Sequence, residues 1–166
     1  MSTFAEHVSQ ANRNLIFLQT INRDVSDCWD WQVTSAFYAA VHFVNAHIVS
    51  QIGQHYRSHE DVDKCLNPYG GDIKCRFTEP VYKNYKKLQT LSRRSRYLCS
   101  DNFKEDDGRN RLTYDIHLAK AVTNLDAIII HLNGLYPGNL LREKINIHCE
   151  ELTRTPLQYF AVIKKT

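Results

Sequence analysis

No apolar run in this 166-residue chain approaches the roughly 20 residues that a helix needs to cross a bilayer. Its first residues, Met1-Ser2-Thr3-Phe4-Ala5-Glu6, lack the basic segment followed by an apolar one that marks a secretory leader. Both absences predict a cytoplasmic protein with no membrane partner. The five cysteines (Cys28, Cys65, Cys75, Cys99 and Cys149) are odd in number and form no CxxC pair. That pattern suggests neither a zinc ribbon nor a disulfide framework, and predicts reduced structural thiols. GxGxxG, P-loop, GxSxG and HExxH motifs are all missing, so dinucleotide, P-loop, serine-hydrolase and zinc-protease chemistries leave no trace. Neither a metal nor a cofactor is expected. There is also no internal repeat and no low-complexity tract.

What is present is ordinary in bulk: 43% hydrophobic and 23% charged residues, with a net charge of +3. A chain of this length buries about two-thirds of its unfolded surface in one domain without staples. Apolar residues recur at helical spacing. Thr3 and Glu6 form a capping box ahead of Val8, Ala11, Leu15, Leu18 and Ile21. Asp27 or Asp30 is positioned to cap a second helix that ends near Gly53. Ser58 with Asp61 starts a short helix from His59 to about Leu66, stopped by Asn67-Pro68-Tyr69-Gly70-Gly71. Thr78-Glu79-Pro80 opens a fourth helix, with Val81, Tyr85, Leu88 and Leu91 as its buried stripe. From Ser92 to Gly108 the period breaks down, and Glu105-Asp106-Asp107-Gly108 reads as an exposed turn. A last long helix carries Leu112, Ile116, Ala119, Val122, Leu125, Ile129 and Leu132, with Asn133-Gly134 as its stop. The predicted fold is all-α, an antiparallel bundle of four to five helices over 1–136, with a C-terminal extension at 137–166. In that extension 140–152 has the composition of a further helix. Gln158 to Ile163 reads as a strand or extended arm that packs on the bundle or on a second subunit.

The sharpest electrostatic feature is six cations, Lys83, Lys86, Lys87, Arg93, Arg94 and Arg96, with no acid between Pro80 and Ser100. Opposite the apolar stripe they form a positive face that attracts phosphates, or simply a solvated helix surface. Tyr82 and Tyr97 are candidate stacking platforms for unpaired bases. In the Arg57-Ser58-His59-Glu60 turn, Ser58 is a helix cap, and Arg57 with His59 is a secondary candidate for holding phosphate at the helix N-terminus. His55 and His59 have metal-ligand spacing, but Gly53 and the Ser58 cap interrupt the helix that such a site needs. His42 and His47 lie about 140° apart on their helix and read as separate boundary residues. His131 reads as a hydrogen-bonded edge histidine.

The segment from Trp31 to Glu60, with the aromatic pair Phe37-Tyr38, the small pair Ala39-Ala40 and the later Ser58-His59, resembles the core of the HEPN superfamily. These are small helical-bundle proteins often encoded beside nucleotidyltransferases or in defence loci. The resemblance implies a homodimer, an RNA target and a nucleotidyltransferase-type or antitoxin partner. It also implies a catalytic pair, Arg111 and His117, at the entrance to the last long helix. Such a pair needs no metal: histidine moves a proton at the RNA 2′-hydroxyl or leaving oxygen, and the guanidinium stabilises the phosphate. On a regular helix the two side chains stand about 120° apart, so they converge only if Arg111 precedes the helix or lies in a distorted first turn. Asn110 or Thr113 is the cap that would permit this. Two positions beyond the histidine, where some nuclease members carry Tyr, this chain has Ala119. Two functions remain open: a metal-independent ribonuclease or toxin-like effector, and a catalytically silent module that binds nucleic acid, nucleotide or a partner protein.

Overall fold

Thr3 starts the first helix, α1 (Phe4–Asp24), through a reciprocal box. Its Oγ1 accepts from the Glu6 amide at 3.2 Å, and the Glu6 carboxylate accepts from the Thr3 amide at 2.7 Å. A computed structural model describes residues 2–25, 27–70, 72–96, 113–141 and 143–164. Within them are five α-helices and two three-residue strands. Ala11, Leu15, Leu18 and Ile21 line the buried face of α1 at the expected three- and four-residue spacing.

The central element is α2 (Trp29–Ile52), which packs against α1, α4 and α5. It is buried on most of its circumference, as its alanines and phenylalanines require: Ala36, Phe37, Ala39, Ala40 and Phe43 are inaccessible to solvent. The expected aspartate cap is not used. Cys28 occupies the cap position without a side-chain bond, Asp27 adopts a left-handed φ of 58°, and Asp30 lies inside the first turn. Gly53 ends the helix as expected, at φ 68° with its amide donating to Val49.

Ser58 then caps α3 (His59–Leu66), accepting from the Asp61 amide at 3.0 Å. The turn that follows brings residues 75–77 back beside the end of this helix, and the Phe77 amide donates to the Leu66 carbonyl at 2.9 Å. That return corrects the expectation of reduced thiols. Cys65 and Cys75 are joined as a disulfide, with Cα atoms 6.5 Å apart, whereas Cys28 and Cys149 are free. Local spacing concealed the pair because it is closed by the turn and not by a CxxC motif.

Tyr85 and Leu88 of α4 (Glu79–Arg96) face the core, and α4 packs on α2 and on α5 (Asp115–Leu135). The last helix begins three residues later than Leu112, with Tyr114 at its cap position. Thr113 does not take that role, its hydroxyl being buried against the Ser95 Oγ at 3.4 Å, and Asn110 lies outside the described residues. The turn expected at Glu105–Gly108 lies outside the described residues.

The helix expected over 140–152 does not form. Ile145–Ile147 is a strand, β1, paired in parallel with β2 (Phe160–Val162), and a 3₁₀ turn at Glu150–Leu152 lies between them. Ile145 and Ile147 point inward and Asn146 outward, the two-residue alternation of a half-buried strand. Side chains from the helices bond several further backbone groups of this segment. Asn22 bonds the amide and carbonyl of His148, and buried Asp126 accepts from the amides of Gln158 and Tyr159. Leu140, Ile145, Ile147, Leu152 and Phe160 join the same hydrophobic cluster as the helices. Among the described residues no helix is long and apolar enough to cross a membrane.

Candidate nucleic-acid interface

Residues Lys86, Gln89, Arg93 and Arg96 follow one another on α4 at spacings of three, four and three, so they share a stripe. Opposite them α3 presents His59, Glu60 and Asp63, and the two helices enclose an open recess of about 720 Å³. The charges there are mostly arranged in pairs. Asp63 Oδ1 accepts from the Lys86 ammonium at 2.9 Å and from the Tyr82 hydroxyl at 3.0 Å. Glu60 is paired with Lys64 at 2.6 Å. Both carboxylates in the lining are therefore already matched, and Arg93 has no ion-pair partner among the described residues.

Arg96 is fixed by aromatic side chains from α2. Its guanidinium carbon lies 5.7 Å from the Tyr38 ring centroid and 6.0 Å from that of Phe37, within cation–π range. Nη1 donates to the Tyr38 hydroxyl at 3.2 Å, and Nε donates to the Ser92 carbonyl at 3.4 Å. Because Tyr38 accepts that bond, its own hydroxyl proton remains to donate. The His59 ring packs on the same two aromatics, with centroid separations of 5.2 Å to Phe37 and 6.3 Å to Tyr38. Partial burial, and then the Arg96 charge, hold the His59 imidazole below its usual pKa. Its ring nitrogens have no hydrogen-bond partner among the described residues.

The predicted basic face is thus divided. Arg93, Arg96 and Lys86 meet at the recess together with His59. Arg57, predicted as the partner of His59, is exposed and does not line it. Lys83 is drawn into an exposed ion pair with Glu79 at 2.6 Å. Lys86 and Lys87 line a second groove on the other side of α4, against α5. Tyr82 is committed: burial and the Asp63 carboxylate push its phenol up to about 12, and it packs against the core instead of standing open for a base. Tyr97 lies outside the described residues.

His117 is placed elsewhere, in the first turn of α5. Its Nδ1 accepts from the Tyr114 amide at 3.0 Å and its ring stacks on Tyr114. That bond leaves the neutral ring's proton on Nε2. Partial burial, followed by Arg94 and Lys120, lowers its pKa. Arg94 of the basic run therefore acts on His117 and not on the recess. Arg111 lies outside the described residues.

Two arrangements escaped sequence reasoning because both are long-range. Tyr38 and Arg96 are 58 positions apart, and only the folded contact of α2 with α4 joins them. His42, read as solitary, has its Nδ1 3.2 Å from that of His7 on α1, with His55 packed beside His7. Among the described residues no group of three or more His, Cys, Asp or Glu side chains is arranged to hold a metal ion. Compared with protein-family models, curated proteins and solved structures, the chain matches none.

Proposed function

We propose that the chain is an RNA-directed protein of the HEPN-like kind, an antiparallel helical bundle that binds single-stranded RNA at the α3–α4 recess. The observation that carries this reading is the convergence of Arg93, Arg96 and Lys86 with His59 in one recess, where Arg96 and His59 both pack on Tyr38. Arginine suits phosphate because its planar fork offers paired donors, and the aromatic contacts hold Arg96 in place before any ligand arrives. Tyr38, about one-third exposed, keeps a hydroxyl donor beside the Arg96 guanidinium. A base released from a duplex can reach such a surface more readily than a paired one. The expected assembly is a homodimer, with an antitoxin or nucleotidyltransferase-type protein as the expected partner class.

A metal-independent endoribonuclease using Arg111 and His117 is the second reading. It is favoured by one observation: the Tyr114 amide orients the His117 ring and places its proton on Nε2, as a proton-transfer group requires. The two readings part in a single pair of assays with labelled single-stranded RNA in EDTA. Binding that Arg93→Ala and Arg96→Ala weaken, without cleavage, supports the binding module. Cleavage that His117→Ala and Arg111→Ala abolish, with folding intact, supports the nuclease. Absence of any RNA binding across low and moderate salt would remove both.

A further inference from the structure

The second groove runs between α4 and α5 and encloses about 830 Å³. We propose that it is a second subsite for the same strand: single-stranded RNA leaving the α3–α4 recess crosses α4 at Lys86 and continues along this groove. The inference rests on the RNA-binding reading above and extends it. Continuity is the first argument, because Lys86 lines both cavities, one on each side of the helix. Charge is the second. Lys87 from α4 and Lys120 from α5 stand on facing walls, and neither has an ion-pair partner among the described residues. Against these three lysines the described lining holds one carboxylate, Glu151.

Chemistry is the third argument. Leu91 and Ile116 supply apolar surface in the groove, and Ile116 is 42% exposed. A flat base can pack on such a surface while its phosphates meet the lysines on the rim, the division of labour common in strand-binding channels. From Asn84 to Leu91 the groove wall is about 10 Å long at 1.5 Å per residue. A wall of that length accommodates a short stretch of extended strand. Lys87 and Lys120 on two helices, with the Asp63-paired Lys86 at the crossing, suit a backbone with spaced charges better than a single compact anion.

The test compares two lengths of unstructured RNA on the intact protein, about four and about ten nucleotides, the shorter long enough for the recess alone. Lys87→Glu with Lys120→Glu changes two exposed side chains and leaves the recess residues in place. The double variant is expected to weaken the longer strand roughly twenty-fold near 0.1 M salt, since each lost phosphate contact lowers the salt slope by about 0.7. The shorter strand should bind as before. Arg93→Ala should weaken both lengths, so loss of the underlying reading and loss of this extension give different patterns. Equal binding of the longer strand by wild type and the double variant would overturn the second subsite. So would an acidic peptide that occupies the groove of wild type but not of the variant while leaving RNA binding unchanged, because it would assign the groove to a protein partner.

Discussion

His47 and His59 sit at two ends of the same core, each against aromatic rings and each with its pKa lowered by burial, yet their surroundings differ. His47 on α2 is 4% exposed, and both of its nitrogens are used. Nε2 donates to the Cys75 carbonyl at 3.1 Å, and Nδ1 accepts from the Tyr136 hydroxyl at 2.9 Å. Tyr136 in turn accepts from Gln51, so the network ties α2, the 72–77 loop and the end of α5 together. His59 has the same aromatic packing without those bonds, and faces the cationic recess. A lowered histidine pKa therefore does not mark a site by itself; open ring nitrogens in a recess that also holds Arg93, which has no ion-pair partner among the described residues, set His59 apart.

The first way to sharpen this contrast is substitution at the two positions. His47→Ala leaves the Cys75 carbonyl without its donor and opens a cavity, so unfolding free energy should fall by about 2–4 kcal/mol. RNA affinity of the folded fraction should be unaltered. His59→Ala should cost less than about 1 kcal/mol, because no hydrogen bond is broken, and should weaken RNA binding. Equal destabilisation in chemical denaturation would erase the distinction.

Acid should act on the same two regions unequally. The His47 pKa is lowered to about 4 from an ordinary value of 6.5, chiefly by burial. The unfolded chain thus binds the proton more readily than the folded one between those values. Stability present above about pH 6.5 is therefore lost as pH falls toward 4, by up to about 3 kcal/mol from this group. His7, His42 and His131 are also lowered and add loss of the same sign. Only the part of the acid loss that vanishes in His47→Leu belongs to the network. A pH profile identical in wild type and variant would contradict it.

A smaller effect is expected at the turn joining the two regions. Gly53, at φ 68°, ends α2 and sends the chain toward α3, and a Cβ there would meet no neighbouring atom. Gly53→Ala should therefore cost only the left-handed backbone penalty, about 1 kcal/mol, with RNA affinity of the folded protein nearly unchanged. A much larger thermal destabilisation would mean that the turn is more than a helix stop.

Helices were legible wherever a local signal coincided with a local cause. The Thr3–Glu6 box, the Ser58 cap and the Gly53 stop depend on residues no more than four positions apart, and each appears where its residues predict. The C-terminal strands were harder to read. A three-residue Ile-Asn-Ile alternation is too short to outweigh a helical composition, and its partner begins 15 positions later. Cys65–Cys75 was hidden by the same kind of return. At the site, the cations of α4 were legible as a group but not as a geometry. Glu79 and Asp63 claim two of them, whereas Tyr38 and Phe37 hold a third from a helix distant in sequence.

The most direct test of the recess is a salt titration of labelled single-stranded RNA binding, wild type against Arg93→Ala/Arg96→Ala with matched thermal stability. Loss of two phosphate contacts should flatten the log–log salt slope by about 1.4 and weaken binding roughly twenty-fold near 0.1 M salt. Identical slopes and affinities for the two proteins would contradict the assignment of the α3–α4 recess as the place where RNA is held.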